Sequence, residues 1–126
     1  MTMKVNGLVL NVNSEQPERL ISFYRDTVGL EPHPDMGPGA FNVAGSFFVI
    51  DSHSEVHGPT KESPRVLIDL MVDDIDAEEA RLRAAGVQFT RSKGEEYWGG
   101  IISTFKDPDG NYCQIMGMKT EAAQPA

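Results

Sequence analysis

The chain has 126 residues, 40% hydrophobic and 24% charged, which is enough for one domain with a core of its own. A net charge of −8 argues against a nucleic-acid surface, which would be basic; solubility is its first reading, and a mild long-range preference for neutral or cationic small molecules the second. No apolar run approaches the roughly 18 residues of a membrane span, the start MTMKVNGLVLNV lacks the long apolar core and cleavage site of a signal peptide, and Cys113, the one cysteine, cannot form an internal disulfide, which fits a cytoplasmic location.

An apolar run of strand length opens the chain in GLVLNV and passes a polar turn at Asn13-Ser14. Helical periodicity follows over 17–28. Pro17 suits a first turn, where its missing N–H would be unpaired anyway. Ser14 and Glu15 are capping candidates. Leu20, Phe23, Tyr24 and Val28 make one apolar stripe, and Gly29 is a left-handed stop. Strand-like pieces follow at 39–43 and 46–51. The polar stretch HSEVHGPTKESPR then reads as a linker.

The pattern then repeats. LIDLMV is a strand, Asp73-Asp74 a turn, and about 76–85 a helix. That helix is favoured by Ala77, Ala80, Leu82 and Ala84, has acidic residues crowding its N-terminus, and stops at Gly86. Strand-like pieces follow at 88–91, 99–105 and 112–117, and Gly110-Asn111 precedes the last one as Gly45 precedes the last strand of the first half. The chain is therefore an α+β protein of two tandem βαβββ modules, at about 4–52 and 65–117. A linker at 53–64 joins them, and a frayed tail at 118–126 follows.

The tandem pattern, the helix end FYRDTVGLE and the turn FKDPDGN resemble the vicinal oxygen chelate superfamily, also called the glyoxalase, bleomycin-resistance and extradiol dioxygenase superfamily. The resemblance covers roughly residues 4 to 117. It implies that the two modules form a cupped mixed sheet that holds a ligand or active site, and that subunits pair as homodimers. It also implies a divalent metal held by His or Glu on the first and last strand of each module. Those positions fall here at Gly7, Val49, Leu67 and Gln114. Three of the four have no donor atom, and a neutral glutamine is a poor ligand for such metals, so no metal and no cofactor is expected.

Side chains alternate along strands, so the same positions mark an inner face. Its candidates are Val9 and Asn11, then Phe47 and Asp51, then Asp69 and Met71, then Tyr112, Gln114 and Met116. Asn11, Asp51, Asp69 and Gln114 are polar groups among the apolar Phe47 and Met71, the composition of a small-molecule site. Gln114 reads either as a ligand-binding amide or as a structural one. Asp69 interrupts a run apolar on both faces, so it needs a partner or its pKa must rise. It reads as a ligand anchor or, in an enzyme, a general base. Trp98, in the Gly-flanked GEEYWGG, is placed to close over a ligand, while Glu95 and Glu96 read as a solvated face. His33, in a proline-flanked loop, reads as structural or exposed. Asp51, His53, Glu55 and His57 alternate, a conceivable metal cluster, but the strand ends near Asp51 and the segment reads better as an exposed linker. The expectation is a metal-independent binding protein resembling the bleomycin-resistance branch, with an unidentified small-molecule ligand. The alternative is a lyase, isomerase or dioxygenase with a relocated metal or an Asp69 base.

Overall fold

Each half of the chain folds onto its own four-stranded sheet, with its helix against one face. The computed structural model describes residues 1–118, and the chain divides into two units between Pro59 and Thr60.

In the first unit the strands are β1 (Val9–Asn13), β2 (Glu31–Pro32), β3 (Ala40–Val43) and β4 (Ser46–Asp51), in the order β1-β4-β3-β2. β1 runs parallel to β4 and the other pairs are antiparallel. The helix α1 (Pro17–Ser22) continues into a π-helical turn, Phe23–Val28, so the two together cover the expected helix. Gly29 ends it at φ 89°. Leu20, Tyr24 and Val28 are buried, and the Tyr24 ring packs on Phe48 at 4.8 Å. Capping differs from expectation. Proline in the first turn leaves fewer donors to satisfy, and Gln16, at the N-cap, makes no side-chain cap. The Ser14 hydroxyl instead accepts from the Gln16 N–H at 3.0 Å, and the Glu15 carboxylate accepts from the Gly58 N–H at 3.0 Å. β2 has no counterpart among the expected strands. It is two residues long and holds a proline, which an edge strand tolerates. β1 begins at Val9, so Gly7 precedes it and is exposed.

In the second unit β5 (Leu67–Met71), β6 (Phe89–Glu95), β7 (Gly100–Lys106) and β8 (Tyr112–Met118) take the same order, β5-β8-β7-β6. The helix α2 (Ile75–Ala84) starts at Asp74, whose carboxylate accepts from the Ala77 N–H at 3.0 Å, and is followed by Gly86 at φ 93°. Turn chemistry explains FKDPDGN. The Asp107 carboxylate accepts from the N–H groups of Asp109 and Asn111, each at 2.9 Å, and from the Asn111 side-chain amide at 2.8 Å. The expected tail lies outside the described residues except Met118, which closes β8.

One buried charge ties this unit together. Glu79, on α2, is 7% exposed. Its carboxylate accepts from the Ser103 hydroxyl on β7 at 2.6 Å, from the Ser92 hydroxyl on β6 at 2.8 Å and from Arg83 Nε at 3.1 Å. The Ser103 oxygen also accepts from the N–H of Lys93, a residue at φ 45° where β6 is irregular against β7. Helix, bulged edge strand and inner strand are thus joined through one carboxylate.

Candidate functional site

Alternation assigns the two faces of each sheet. In the second unit Ile68, Ser103, Cys113 and Ile115 are buried on the helix side, where Ile75 lies against Gly117. The opposite, helix-free face carries Leu67, Asp69 and Met71 on β5, Tyr112, Gln114 and Met116 on β8, and Ile102 and Thr104 on β7. The register sets them in rows. Asp69 pairs with Gln114, which pairs with Thr104, which pairs with Arg91. One neighbouring row is Leu67, Tyr112 and Lys106, and the other is Met71, Met116 and Ile102.

The polar row has a definite hydrogen-bond order. Gln114 is buried, and its Nε2 donates to the Thr104 hydroxyl at 3.0 Å. The structural reading of the amide expects a backbone partner, and the partner is instead a side chain; the amide carbonyl accepts no bond among the described residues. Asp69 is exposed and has no hydrogen-bond or ion-pair partner among the described residues, and partial desolvation raises its carboxyl pKa. That is the sequence expectation for a carboxylate placed there without a cation. Arg91 is turned along β6 across Gly94, where its Nη1 binds Glu96 at 2.8 Å, and Lys106 sits over the Tyr112 ring at 5.6 Å. Glu96 is therefore the anchor of Arg91 rather than part of a solvated face.

Trp98 lies in the turn joining β6 to β7, held by the Gly99 N–H donating to the Glu96 carbonyl at 2.9 Å and the Glu96 N–H donating to the Gly100 carbonyl at 2.7 Å. Its indole rests on Gly100, filling the space a Cβ would need. Gly100 shares the parity of Ile102 and Thr104, so the indole covers the end of the helix-free face, while Tyr97 points fully into solvent.

In the first unit the helix-free face carries Val9 and Asn11 on β1, Phe47, Val49 and Asp51 on β4, and Ala40 and Asn42 on β3. Asp51 accepts from the Ser52 N–H at 2.8 Å. The His33 ring meets Phe47 edge-on at 5.3 Å, and its Nδ1 is buried without a hydrogen-bond partner among the described residues. The structure therefore gathers Asn11, Phe47 and Asp51 on one sheet face, and Asp69, Met71, Gln114 and Trp98 on the other sheet's face. Sequence reasoning does not single out Thr104, Gly100 or His33 as site residues. The alternation in IISTFK is a signal that marks Thr104; nothing local marks the other two.

The donor set does not fit the metal that the resemblance implies. Gly7 is exposed ahead of β1, Val49 and Leu67 offer only methyl groups, and Gln114 offers a single neutral amide oxygen, which alone does not make a metal site. The alternative cluster also disperses. His53 Nδ1 accepts from the Glu55 N–H at 3.1 Å, and His57 faces Glu15 at 3.7 Å. Among the described residues no three His, Cys, Asp or Glu side chains stand together as a metal site. Among the same residues no helix is long and apolar enough to cross a membrane.

A family model described as the Glyoxalase/Bleomycin resistance protein/Dioxygenase superfamily matches residues 6–115. Solved structures with the same fold include a member of that superfamily from Sphaerobacter thermophilus, 22% identical with a TM-score of 0.65, where the match covers 92% of this chain and 98% of the other. A lactoylglutathione lyase from Agrobacterium tumefaciens is 16% identical with a TM-score of 0.68, at 92% and 96% coverage. TioX from a Micromonospora species is 15% identical with a TM-score of 0.68, at 91% and 100% coverage. No curated protein sequence matches the chain.

Proposed function

The chain belongs to the glyoxalase/bleomycin resistance protein/dioxygenase superfamily, and from that membership we propose that it is a metal-independent small-molecule binding protein. The observation that carries this reading is the row Asp69–Gln114–Thr104 on the helix-free face of the second sheet. A carboxylate without a partner among the described residues and a half-used amide lie there among Leu67, Tyr112, Met71, Met116 and Ile102. A few polar groups in an apolar surround fix the orientation of an organic ligand. The place where metal enzymes of the family keep a carboxylate holds an amide that hydrogen-bonds instead.

Trp98 gives the face an aromatic end. Met118, at the level of Gly100, lies four residues beyond Gln114, so a ligand reaching from Asp69 to the indole spans about 14 Å along the strands at about 3.4 Å per residue. That is the length of a drug-sized molecule. Asn11, Phe47 and Asp51 form a second ligand-binding surface in the same reading, on the first sheet. Homodimer pairing and a cytoplasmic location complete it, supported by the family's habit and by the lone buried thiol of Cys113.

A second reading, an enzyme with Asp69 as proton acceptor, is favoured by the raised pKa of a carboxylate with no partner among the described residues. It differs in outcome, since a bound compound would be converted rather than returned intact.

The test is titration of Trp98 fluorescence with a panel of aromatic compounds of both charges. Saturable shifts are expected from at least one class. Gly100→Ala, which displaces the indole, should weaken that binding by about threefold to tenfold, the range of one aromatic contact. Emission unmoved by every compound up to its solubility would refute the binding reading.

A further inference from the structure

We propose that the group recognised by this face is a flat cation with two adjacent N–H donors, an amidinium or a guanidinium, held between Asp69 and Gln114; the inference rests on the binding reading above. Asp69 and Gln114 are register partners on adjacent parallel strands, so their side chains leave the sheet side by side on one face. What each offers is fixed by its neighbours. Gln114 gives one Nε2 hydrogen to Thr104; its Oε1, an acceptor, has no partner among the described residues, and one Nε2 hydrogen remains. Asp69, ionised, offers only acceptors. The pair therefore presents two acceptors, one of them charged, beside a single remaining amide hydrogen. An anion is repelled by the ionised Asp69 and a neutral carbonyl compound can use only the one amide hydrogen, whereas a ligand with two N–H groups pointing the same way satisfies both acceptors.

Charge narrows the class. Among the described residues the face holds two cations, and neither reaches the carboxylate, because Arg91 binds Glu96 and Lys106 sits over Tyr112. Among the described residues the exposed Asp69 thus has no counter-charge, and partial desolvation already disfavours its ionised form. A bound cation relieves that penalty. Between cations, a planar fork delivers two parallel N–H bonds in fixed geometry, while an ammonium is a point charge with rotating donors. The neighbouring rows suit the body that carries such a head. Met71 and Met116 adapt to an irregular or aromatic shape, and Leu67 and Tyr112 flank the other side.

The experiment is calorimetric titration of the intact chain with benzamidine, benzylamine, benzamide and benzoate, on wild type, Asp69→Asn and Gln114→Met. Benzamidine is expected to bind at least about tenfold more tightly than its neutral isostere benzamide, as charge-assisted hydrogen bonds are about twice as strong as neutral ones. Benzylamine should fall between the two, and benzoate should give no heat. Asp69→Asn should erase the advantage over benzamide. Gln114→Met should erase the advantage over benzylamine, since only the second acceptor distinguishes the fork from the point charge. Equal affinity for benzamide and benzamidine, benzamidine affinity unchanged in Asp69→Asn, or no benzamidine binding at all overturns the proposal. If benzamidine fails while neutral aromatics still shift Trp98 emission, the cation inference falls and the binding reading stands. If nothing binds or moves the emission, both fall.

Discussion

Glu79→Ala is expected to destabilise the second unit by about 3 kcal/mol, in the range for removing one partner of a buried, hydrogen-bonded charge. The side chain is 10% exposed. Its loss leaves the buried Ser103 hydroxyl without its acceptor, turns the exposed Ser92 to water, and leaves Arg83 over the Phe89 ring without its carboxylate. The exposed pairs Arg65–Glu62 and Arg25–Asp26 make the contrast, since surface ion pairs contribute about 0–1 kcal/mol. A loss of about 3 kcal/mol lowers the urea midpoint by about 1.5 M for a slope near 2 kcal/mol/M. Glu79→Gln, which keeps an acceptor and loses the charge, should fall between wild type and Glu79→Ala.

The same network fixes the direction of the pH dependence. Burial works against the charged form of Glu79, but hydrogen bonds from Ser103, Ser92 and Arg83 outweigh it and hold its pKa below the usual range. A folded pKa below the unfolded value of about 4.3 means that the stabilisation is fully present above that pH. It is lost as pH falls through the folded pKa. Wild type should therefore lose more stability than Glu79→Gln on acidification below about pH 4.3, as read from denaturation midpoints. Parallel pH profiles for the two proteins would contradict the role given to the charge.

Gly39→Ala is expected to cost about 3 kcal/mol in the first unit, the upper end for overpacking, because the obstacle is backbone rather than a movable side chain. A Cβ at Gly39 would collide with the carbonyl oxygen of Ile50 and stand 3.1 Å from Ile21 Cδ1. The Gly39 carbonyl accepts from the Ile50 N–H at 2.8 Å, so β3 and β4 cannot part there without losing that bond. Thermal unfolding should fall by about 10 °C for a chain of this size. Gly7→Ala is the matched control, since a Cβ at Gly7 meets nothing within 4 Å. Equal melting temperatures for the two variants would contradict the close approach of the strands.

The local chemistry of helix ends and turns is legible in the sequence. Gly29 and Gly86 stop their helices in left-handed conformations, and DPDGN closes on Asp107. β4 begins and ends at the expected residues because an apolar run is bounded by Ser46 and Asp51 and a turn precedes it. β2 is hidden, since two residues with a proline become a strand only when β3 is there to pair with them. The apolar run suggests a first strand reaching back to Gly7, but the register puts Val9 opposite Phe47. An extension to Gly7 would face Gly45, which is already in a turn. Pairing partners across a sheet decide such limits, and they are distant in sequence.

The candidate site divides the same way. Alternation puts Asp69, Met71, Tyr112, Gln114 and Met116 on one face, as the strand register does. Whether Gln114 bonds to backbone or side chain depends on the register of β7 against β8, which brings Thr104 beside it. In the sequence Glu79 reads as one of several acidic residues complementing a helix dipole. Its burial follows from the irregular β6, which swings Ser92 onto the helix side, a tertiary event with no local signature.

The most direct measurement is the metal content, by plasma mass spectrometry, of untagged protein purified without chelator. An ion-free chain is the predicted result, because Gly7, Val49, Leu67 and Gln114 cannot supply the family's ligand set. One divalent ion per chain would contradict the account and move the enzyme reading ahead of the binding one.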